Sequence, residues 1–246
     1  MVTRMASTKN TNWNRFSIEV AAIVGGILLA FAIDAWWEER QERNEETEQL
    51  SRLRDEFITN IERVDQRAKN YSLTVQGSID IFTLIDAAIG RGDITVEVPA
   101  EKLRYMLFAP TFEADTPVLD GLIRSGRLEI VEDRRILAAL ATWERLLRDY
   151  TLLAERVRRN IDAQLLPELY SRSDIGPILV REAQDFPTPD DTAAVQADFV
   201  TIRIDEELKG FAAGRFAQGR QSLGAFDRLQ TAGESVIESI DATIPK

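Results

Sequence analysis

The sequence contains neither cysteine nor histidine. Without cysteine the chain forms no disulfide and offers no thiol nucleophile and no thiolate metal ligand. Without histidine it has no imidazole ligand and no histidine general base. Any side-chain chemistry would have to depend on Asp, Glu, Ser, Thr, Tyr or Lys.

Basic residues are in the minority. The 246 residues include 30 Lys and Arg against 41 Asp and Glu, which gives a formal net charge of -11 at pH 7. A nucleic-acid partner requires a basic stripe that neutralises phosphates, so we expect no nucleic-acid partner. The shares of hydrophobic residues (44%) and charged residues (29%) are instead typical of a folded globular domain.

Recognisable catalytic motifs are also missing. The sequence has neither a glycine-rich phosphate-binding loop ending in Gly-Lys-Ser/Thr nor the Gly-x-Ser-x-Gly turn of hydrolases. We interpret Glu113, Asp115 and Asp120 as helix-capping acids in a loop; the alternative is a carboxylate pair or a cation site with oxygen ligands. We therefore predict that the protein is not an enzyme, and we assign no catalytic residue, cofactor or metal.

Two other groups of residues have a structural and a functional interpretation. A basic stretch in the second half of the chain comprises Arg148, Arg156, Arg158 and Arg159. We interpret it as a solvated face, with anionic-ligand binding as the alternative. Trp143 and Tyr150 lie on an apolar helical stripe, and we predict that they belong to the core and do not form a ligand platform.

One apolar segment near the start has the properties of a membrane span. Val20–Ile33 contains no polar side chain, and its flanks extend the apolar pattern to the roughly 20 residues that a span requires. Trp13 and Trp36 would lie about 34 Å apart along a helix, which matches two aromatic belts beside the hydrocarbon core. The sequence therefore predicts a transmembrane helix over residues 16–37.

The charges around this segment indicate its orientation. Arg4, Lys9 and Arg15 precede it, and the stretch that follows Trp37 is mainly acidic. The positive-inside rule then predicts a cytoplasmic N-terminus in the bacterial inner membrane and a periplasmic or otherwise extracytoplasmic remainder. Two alternatives stay open: a signal peptide cleaved near Ala30-Phe31-Ala32, and a buried helix of a soluble protein.

Small and acidic residues share one side of the predicted span. At 100° per residue, six positions fall within a stripe about 120° wide. They are Glu19, Ala22, Gly26, Ala30, Asp34 and Trp37. Small residues at a spacing of four let helix backbones approach closely in lipid, so we interpret the stripe as a face for association in a homo-oligomer or with a partner membrane protein. The alternative is that the two acids simply lie at the membrane interfaces.

The remainder of the chain is dominated by helical periodicity. Beyond a charged stalk at 38–49, an apolar stripe runs from Leu50 to Ile89, with Gly77 as a candidate kink or interruption and Gly90 as the predicted end. Residues 94–98 alternate as in a short strand, and short helices are predicted after Pro99 and Thr116. A long helix is predicted from Glu132 and Asp133, and irregular chain is predicted over 167–189. A last helix is predicted over 192–243, broken near residues 210–219 because of its many glycines.

Two stretches resemble an uncharacterised group of bacterial single-span membrane proteins. That group shows an acidic residue, an apolar stretch with a central glycine and an Ile-x-x-Trp-x-Glu-Glu-Arg ending, which corresponds here to EVAAIVGGILLAFAIDAWWEER, ending at Arg40. The segment GLIRSGRLEIVEDRRILAAL is similar to the middle of the same family. The family often has Asn beside the Trp, whereas this chain has Asp34 and Trp37 there. The resemblance implies a membrane anchor and a helical domain, and it supplies no activity.

These patterns together predict an all-α protein whose N-terminal transmembrane helix continues into a long-helix bundle domain. The expected divisions are a cytoplasmic tail (1–15), the transmembrane helix (16–37), the stalk (38–49) and the extracytoplasmic bundle (50–246). The favoured function is that of a membrane-anchored scaffold or interaction protein. The alternative is a sensor domain that binds a small molecule and acts through a partner membrane protein.

Overall fold

The computed structural model describes residues 11–131, 133–176 and 199–244. Some predicted features therefore lie outside the described residues. These are residues 1–10 of the tail, Glu132 at the predicted helix start, and residues 177–198, which hold most of the predicted irregular chain and Thr192.

Helix α1 (Thr11–Gly90) ends where the sequence predicts. Beyond Gly90 the chain reverses through Gly92, whose φ of +83° suits glycine, and the Asp93 amide donates to the Ala88 carbonyl at 3.0 Å. The predicted interruption at Gly77 is wrong, because the helix continues through it. A Cβ at Gly77 would lie 3.0 Å from the Lys102 carbonyl oxygen, so the glycine permits a close approach of the following chain.

The chain divides into two compact units between Ser51 and Arg52. In the first unit, the described chain is helical throughout. Its apolar part is long enough and apolar enough to cross a membrane, and none of the side chains in that part is buried. The described chain therefore provides no core that buries this segment.

The second unit is a helical bundle. After α1 come α2 (Ala100–Leu107), α3 (Pro117–Arg124), a 3-10 turn (Arg127–Ile130) and α4 (Arg134–Asn160). Asp133 caps α4 by accepting a hydrogen bond from the Arg135 amide at 2.8 Å. The four largest fully buried side chains come from α1, α4 and the last helix, and they are Phe57, Trp143, Tyr150 and Phe226. The all-α bundle that the sequence predicts is therefore present.

A π-helical turn (Ile161–Leu165) and helix α5 (Leu166–Arg172) follow α4 directly. The sequence predicts irregular chain from Pro167, and that prediction is wrong as far as Arg172. Pro167 lies in the first turn of α5, where a helix needs no amide donor from it, so the proline does not break the chain of helices.

Two short strands form an antiparallel pair within the bundle unit. Strand β1 (Thr95–Pro99) pairs with β2 (Phe199–Arg203) so that Val98 lies opposite Val200. Alternate residues of β2 are buried, which gives the strand one core-facing side. The sequence predicts β1 but assigns Phe199 and Ile202 to the last helix, and that assignment is wrong.

The last helix, α6 (Glu206–Asp241), begins after β2 and runs without a break. Asp205 caps it by accepting from the Leu208 amide at 2.9 Å. The predicted break near residues 210–219 is therefore wrong. Gly219 and Gly233 instead lie against side chains of α1, Val75 and Ile61 respectively, so two glycines mark places where the helices approach closely.

Candidate functional site

All six residues of the predicted association face lie on α1, and all six side chains are exposed. They keep the predicted stripe because this part of α1 is one uninterrupted helix. A Cβ added at Gly25 or Gly26 would meet no atom within 4 Å, so the face is open in the single chain.

Two of the three acidic residues that the sequence draws attention to have ion-pair partners. Asp115 pairs with Arg63 at 3.3 Å, and Asp120 pairs with Arg124 on its own helix at 3.3 Å. Within the described part of the chain, no three acidic side chains are arranged to hold a metal ion.

The basic stretch of the sequence lies on α4 and is exposed. Arg148 pairs with Glu144 one turn away at 3.8 Å. Trp143 and Tyr150 are buried, as predicted, with 0% and 2% exposed. The Trp143 ring packs edge-on against Phe57 at 5.1 Å between ring centroids.

The bundle unit has a groove that the sequence does not reveal. One cavity of about 250 Å³ and a second of about 450 Å³ share Arg67, Asn70 and Thr111 in their walls, so they lie side by side between α1 and the chain after α2. We call this space the arginine groove. Its polar and aromatic lining residues are Arg63, Gln66, Arg67, Asn70, Tyr71, Thr74, Arg104, Tyr105, Phe108, Thr111, Phe112, Glu113 and Phe226.

The charge of the groove opposes that of the whole chain. Three arginines and one glutamate, Glu113, line it, although the protein as a whole is acidic. Arg67 makes no ion pair with any residue that the structure describes. The Arg104 guanidinium lies 5.6 Å from the centroid of the Phe108 ring. The smaller cavity has Arg67 and Arg104 in its wall and no carboxylate.

A buried arginine lies behind this wall. Arg215 of α6 is only 3% exposed, and its guanidinium donates to the Met106 carbonyl at 2.8 Å, to the Phe108 carbonyl and to the Tyr71 hydroxyl at 3.1 Å. No carboxylate among the described residues pairs with it. Arg215 therefore fixes the end of α2 with hydrogen bonds, and its positive charge has no counter-ion in the part of the chain that the structure describes.

The opposite end of the wall is fixed by α1. The buried Asn60 side chain donates to the Asp115 carbonyl at 2.7 Å and accepts from the Asp115 amide at 2.9 Å. The Glu56 carboxylate accepts from the amides of Val118 and Leu119 at the start of α3. Burial raises the pKa of Glu56, and the two backbone hydrogen bonds oppose that rise. The chain between α2 and α3 is thus held at both ends.

Two tyrosines differ in how their hydroxyls are satisfied. Tyr71 lines the groove and accepts a hydrogen bond from Arg215, which leaves its own proton available for donation. The buried Tyr150 hydroxyl has no hydrogen-bond partner among the described residues. Burial raises the pKa of the Tyr150 phenol well above its usual range, Tyr71 adds to the increase, and Arg67 opposes it.

The comparisons with known proteins return nothing that adds to this geometry. No protein-family model, no curated protein and no solved structure matches the chain.

Proposed function

We propose that the protein is a membrane-anchored helical interaction protein with a single span, which acts by self-association or through a partner membrane protein. The observation that carries this proposal is the apolar segment of α1, which is long enough to cross a bilayer and has no side chain buried within the chain itself. Such a surface requires lipid or another apolar partner to cover it. The proposal includes no catalytic role.

We propose the bacterial inner membrane as its location, with the N-terminus in the cytoplasm and the bundle unit outside. Arg4, Lys9 and Arg15 on one side of the segment and a mainly acidic stretch on the other support this orientation. A reporter enzyme that folds only outside the cytoplasm, fused after Lys246, is expected to be active. Activity from a cytoplasm-only reporter at the same place would contradict the orientation.

The association face provides the surface for self-association or a partner span. Gly26 lies near the middle of the stripe, and the adjacent Gly25 points about 100° away from it. Both glycines are open in the single chain, so a substitution at either leaves the packing within the chain unchanged. The two positions therefore form a matched pair for mapping contacts in lipid.

The absence of cysteine makes the experiment direct. A single cysteine placed at Gly26 or at Gly25 in the full chain is labelled in membranes with a thiol-specific benzophenone and irradiated. We expect crosslinked protein adducts from position 26 and few from position 25. Equal yields from the two positions, or no adduct from either, would remove the association face.

A second function, that of a sensor domain, is supported by the arginine groove, which provides room for a small molecule within the bundle unit. Such a sensor would transmit binding through a partner span that contacts Glu19, Gly26 and Asp34. Gly26→Ile is then expected to abolish the coupling while the purified protein still binds its ligand. Unchanged signalling in that variant would exclude this route.

A further inference from the structure

We propose that the arginine groove binds a small organic carboxylate, whose head lies against Arg67 and Arg104 and whose apolar body lies against Phe108 and Phe226. The inference deepens the sensor function by naming a ligand class. Binding can be measured without any signalling or association, so the two proposals can fail separately.

The first argument is the charge of the smaller cavity. Its wall contains two arginines and no carboxylate, and Arg67 has no ion pair with a described residue. The buried Arg215 adds a positive charge behind the same wall, where two of its hydrogen bonds end on the carbonyls of Met106 and Phe108. A wall that holds arginines and no carboxylate favours an anion over a cationic ligand.

The second argument is the hydrogen-bonding state of Tyr71. Its hydroxyl oxygen accepts from Arg215 at 3.1 Å, and its ring lies 5.9 Å from the guanidinium carbon of the same arginine. An acceptor engaged by a cation is a stronger donor through its own proton. Tyr71 lines the cavity, so an anion there could accept that proton's hydrogen bond. The Asn70 side chain, with two amide hydrogens, lines the same cavity.

The third argument is the apolar part of the wall. Leu73, Phe108, Pro110 and Phe226 line the smaller cavity. Inorganic anions would leave this surface uncovered, whereas an organic acid would bury it. The cavity volume of about 250 Å³ limits the apolar body to a small one, and a single aromatic ring is a suitable probe.

Arg63, unlike Arg67, has an ion-pair partner among the described residues. It pairs with Asp115 at 3.3 Å, and it lines the larger cavity together with Glu113. A carboxylate would therefore be attracted to the smaller cavity, whose wall contains Arg67, Arg104 and the aromatic residues. A planar guanidinium can hold a carboxylate through two parallel hydrogen bonds.

The test is a titration of the full chain in lipid nanodiscs with phenylacetate, followed by the fluorine NMR signal of a fluorinated phenylacetate. Phenylacetamide serves as the neutral analogue. We expect saturable binding of phenylacetate, and binding of the amide that is weaker by about tenfold or more. Absence of saturable phenylacetate binding, or equal binding of the two compounds, would overturn the proposal.

Variants locate the binding. Arg67→Gln and Arg104→Gln are each expected to weaken phenylacetate binding by roughly tenfold to a hundredfold. Arg220→Gln is the matched control, because Arg220 is an exposed arginine of α6 that lines neither cavity and has no ion pair with a described residue. A thermal unfolding scan of each variant verifies that it is folded.

Two results of the variant series would overturn the site. One is an affinity that Arg67→Gln and Arg104→Gln leave unchanged, which would indicate partition into lipid or another site. The other is an equal loss in Arg220→Gln, which would indicate a general effect of net charge. The crosslinking experiment at position 26 does not depend on either result, so the association face and the ligand site are tested separately.

Discussion

Replacing glycine with alanine inside a helix usually stabilises a protein, but at Gly219 and Gly233 we expect it to lower the free energy of unfolding. Both residues lie inside α6, where alanine would ordinarily be favoured. A Cβ at Gly219 would lie 2.8 Å from Val75 Cγ2, and a Cβ at Gly233 would lie 2.8 Å from Ile61 Cγ1. The two glycines are fourteen residues apart, as are the two α1 residues that they meet.

The magnitude follows from two opposing terms. The change from glycine to alanine gains about 1 kcal/mol of helix propensity. Overpacking a close contact costs about 1–3 kcal/mol, and Val75 and Ile61 relax little because β-branched side chains in a helix are restricted to nearly one rotamer. At Gly233 the new methyl group would also lie 3.2 Å from the buried Trp143 ring. The free energy of unfolding is therefore expected to fall by about 0–2 kcal/mol at each site.

The same helix provides the controls. A Cβ at Gly210 or Gly214 would meet no atom within 4 Å, so alanine there is expected to stabilise the fold by up to about 1 kcal/mol. Thermal unfolding of the full chain in one detergent, followed by near-ultraviolet circular dichroism, measures all four variants. One kcal/mol corresponds to about 2–4 °C in Tm for a domain of this size. A rise in Tm of equal size in all four variants would refute the reasoning about close helix contacts.

Three further perturbations have a defined sign. Tyr71→Phe removes a hydrogen-bond acceptor from the buried Arg215 and is expected to lower the free energy of unfolding by about 1–3 kcal/mol. Tyr150→Phe removes a hydroxyl with no described partner and should be neutral or stabilising in the same denaturation assay. A larger loss of stability in Tyr150→Phe than in Tyr71→Phe would contradict this assignment. The folded-state pKa of Glu56 is raised above its ordinary value of 4.5, so ionisation of Glu56 destabilises the fold as pH rises through that folded pKa. The stability of Glu56→Gln relative to the wild type should therefore increase with pH from about 4.5 upward. Urea titrations at several pH values measure this difference, and a difference that stays constant would contradict the prediction. Intact mass spectrometry of protein from membranes should give the uncleaved chain, and a mature form beginning near Ile33 would instead identify a signal peptide.

Local signals in the sequence are sufficient for much of the secondary structure. The end of α1 at Gly90, strand β1 and the start of α4 at Asp133 each have a cue within a few residues: a glycine, an alternation or a capping acid. Errors arise where distant chain decides the outcome. Strand β2 forms because β1 pairs with it, and α6 tolerates its glycines because α1 packs closely against two of them.

The groove could not be predicted for the same reason. Arg63, Arg67 and Asn70 recur at helical spacing on α1, which is also the pattern of an ordinary solvated face. These three residues line a groove only because the chain after α2 and Arg215 complete its wall. Arg215 lies more than 100 residues along the chain from Met106 and from Tyr71, with which it forms hydrogen bonds. The basic stretch that the sequence does draw attention to lies elsewhere, on α4.

The position of Arg215 along the chain sets the time at which the groove becomes complete during synthesis. Its partners Met106 and Tyr71 precede it by 109 and 144 residues. A nascent chain that has emerged only as far as α5 has every groove arginine but lacks the cation that secures the wall, and it also lacks Phe226. Contacts between such distant residues form late and slowly. Ligand binding at the groove, as proposed, would therefore require a chain in which α6 has already folded, and a nascent chain without α6 would not compete for the same small molecule.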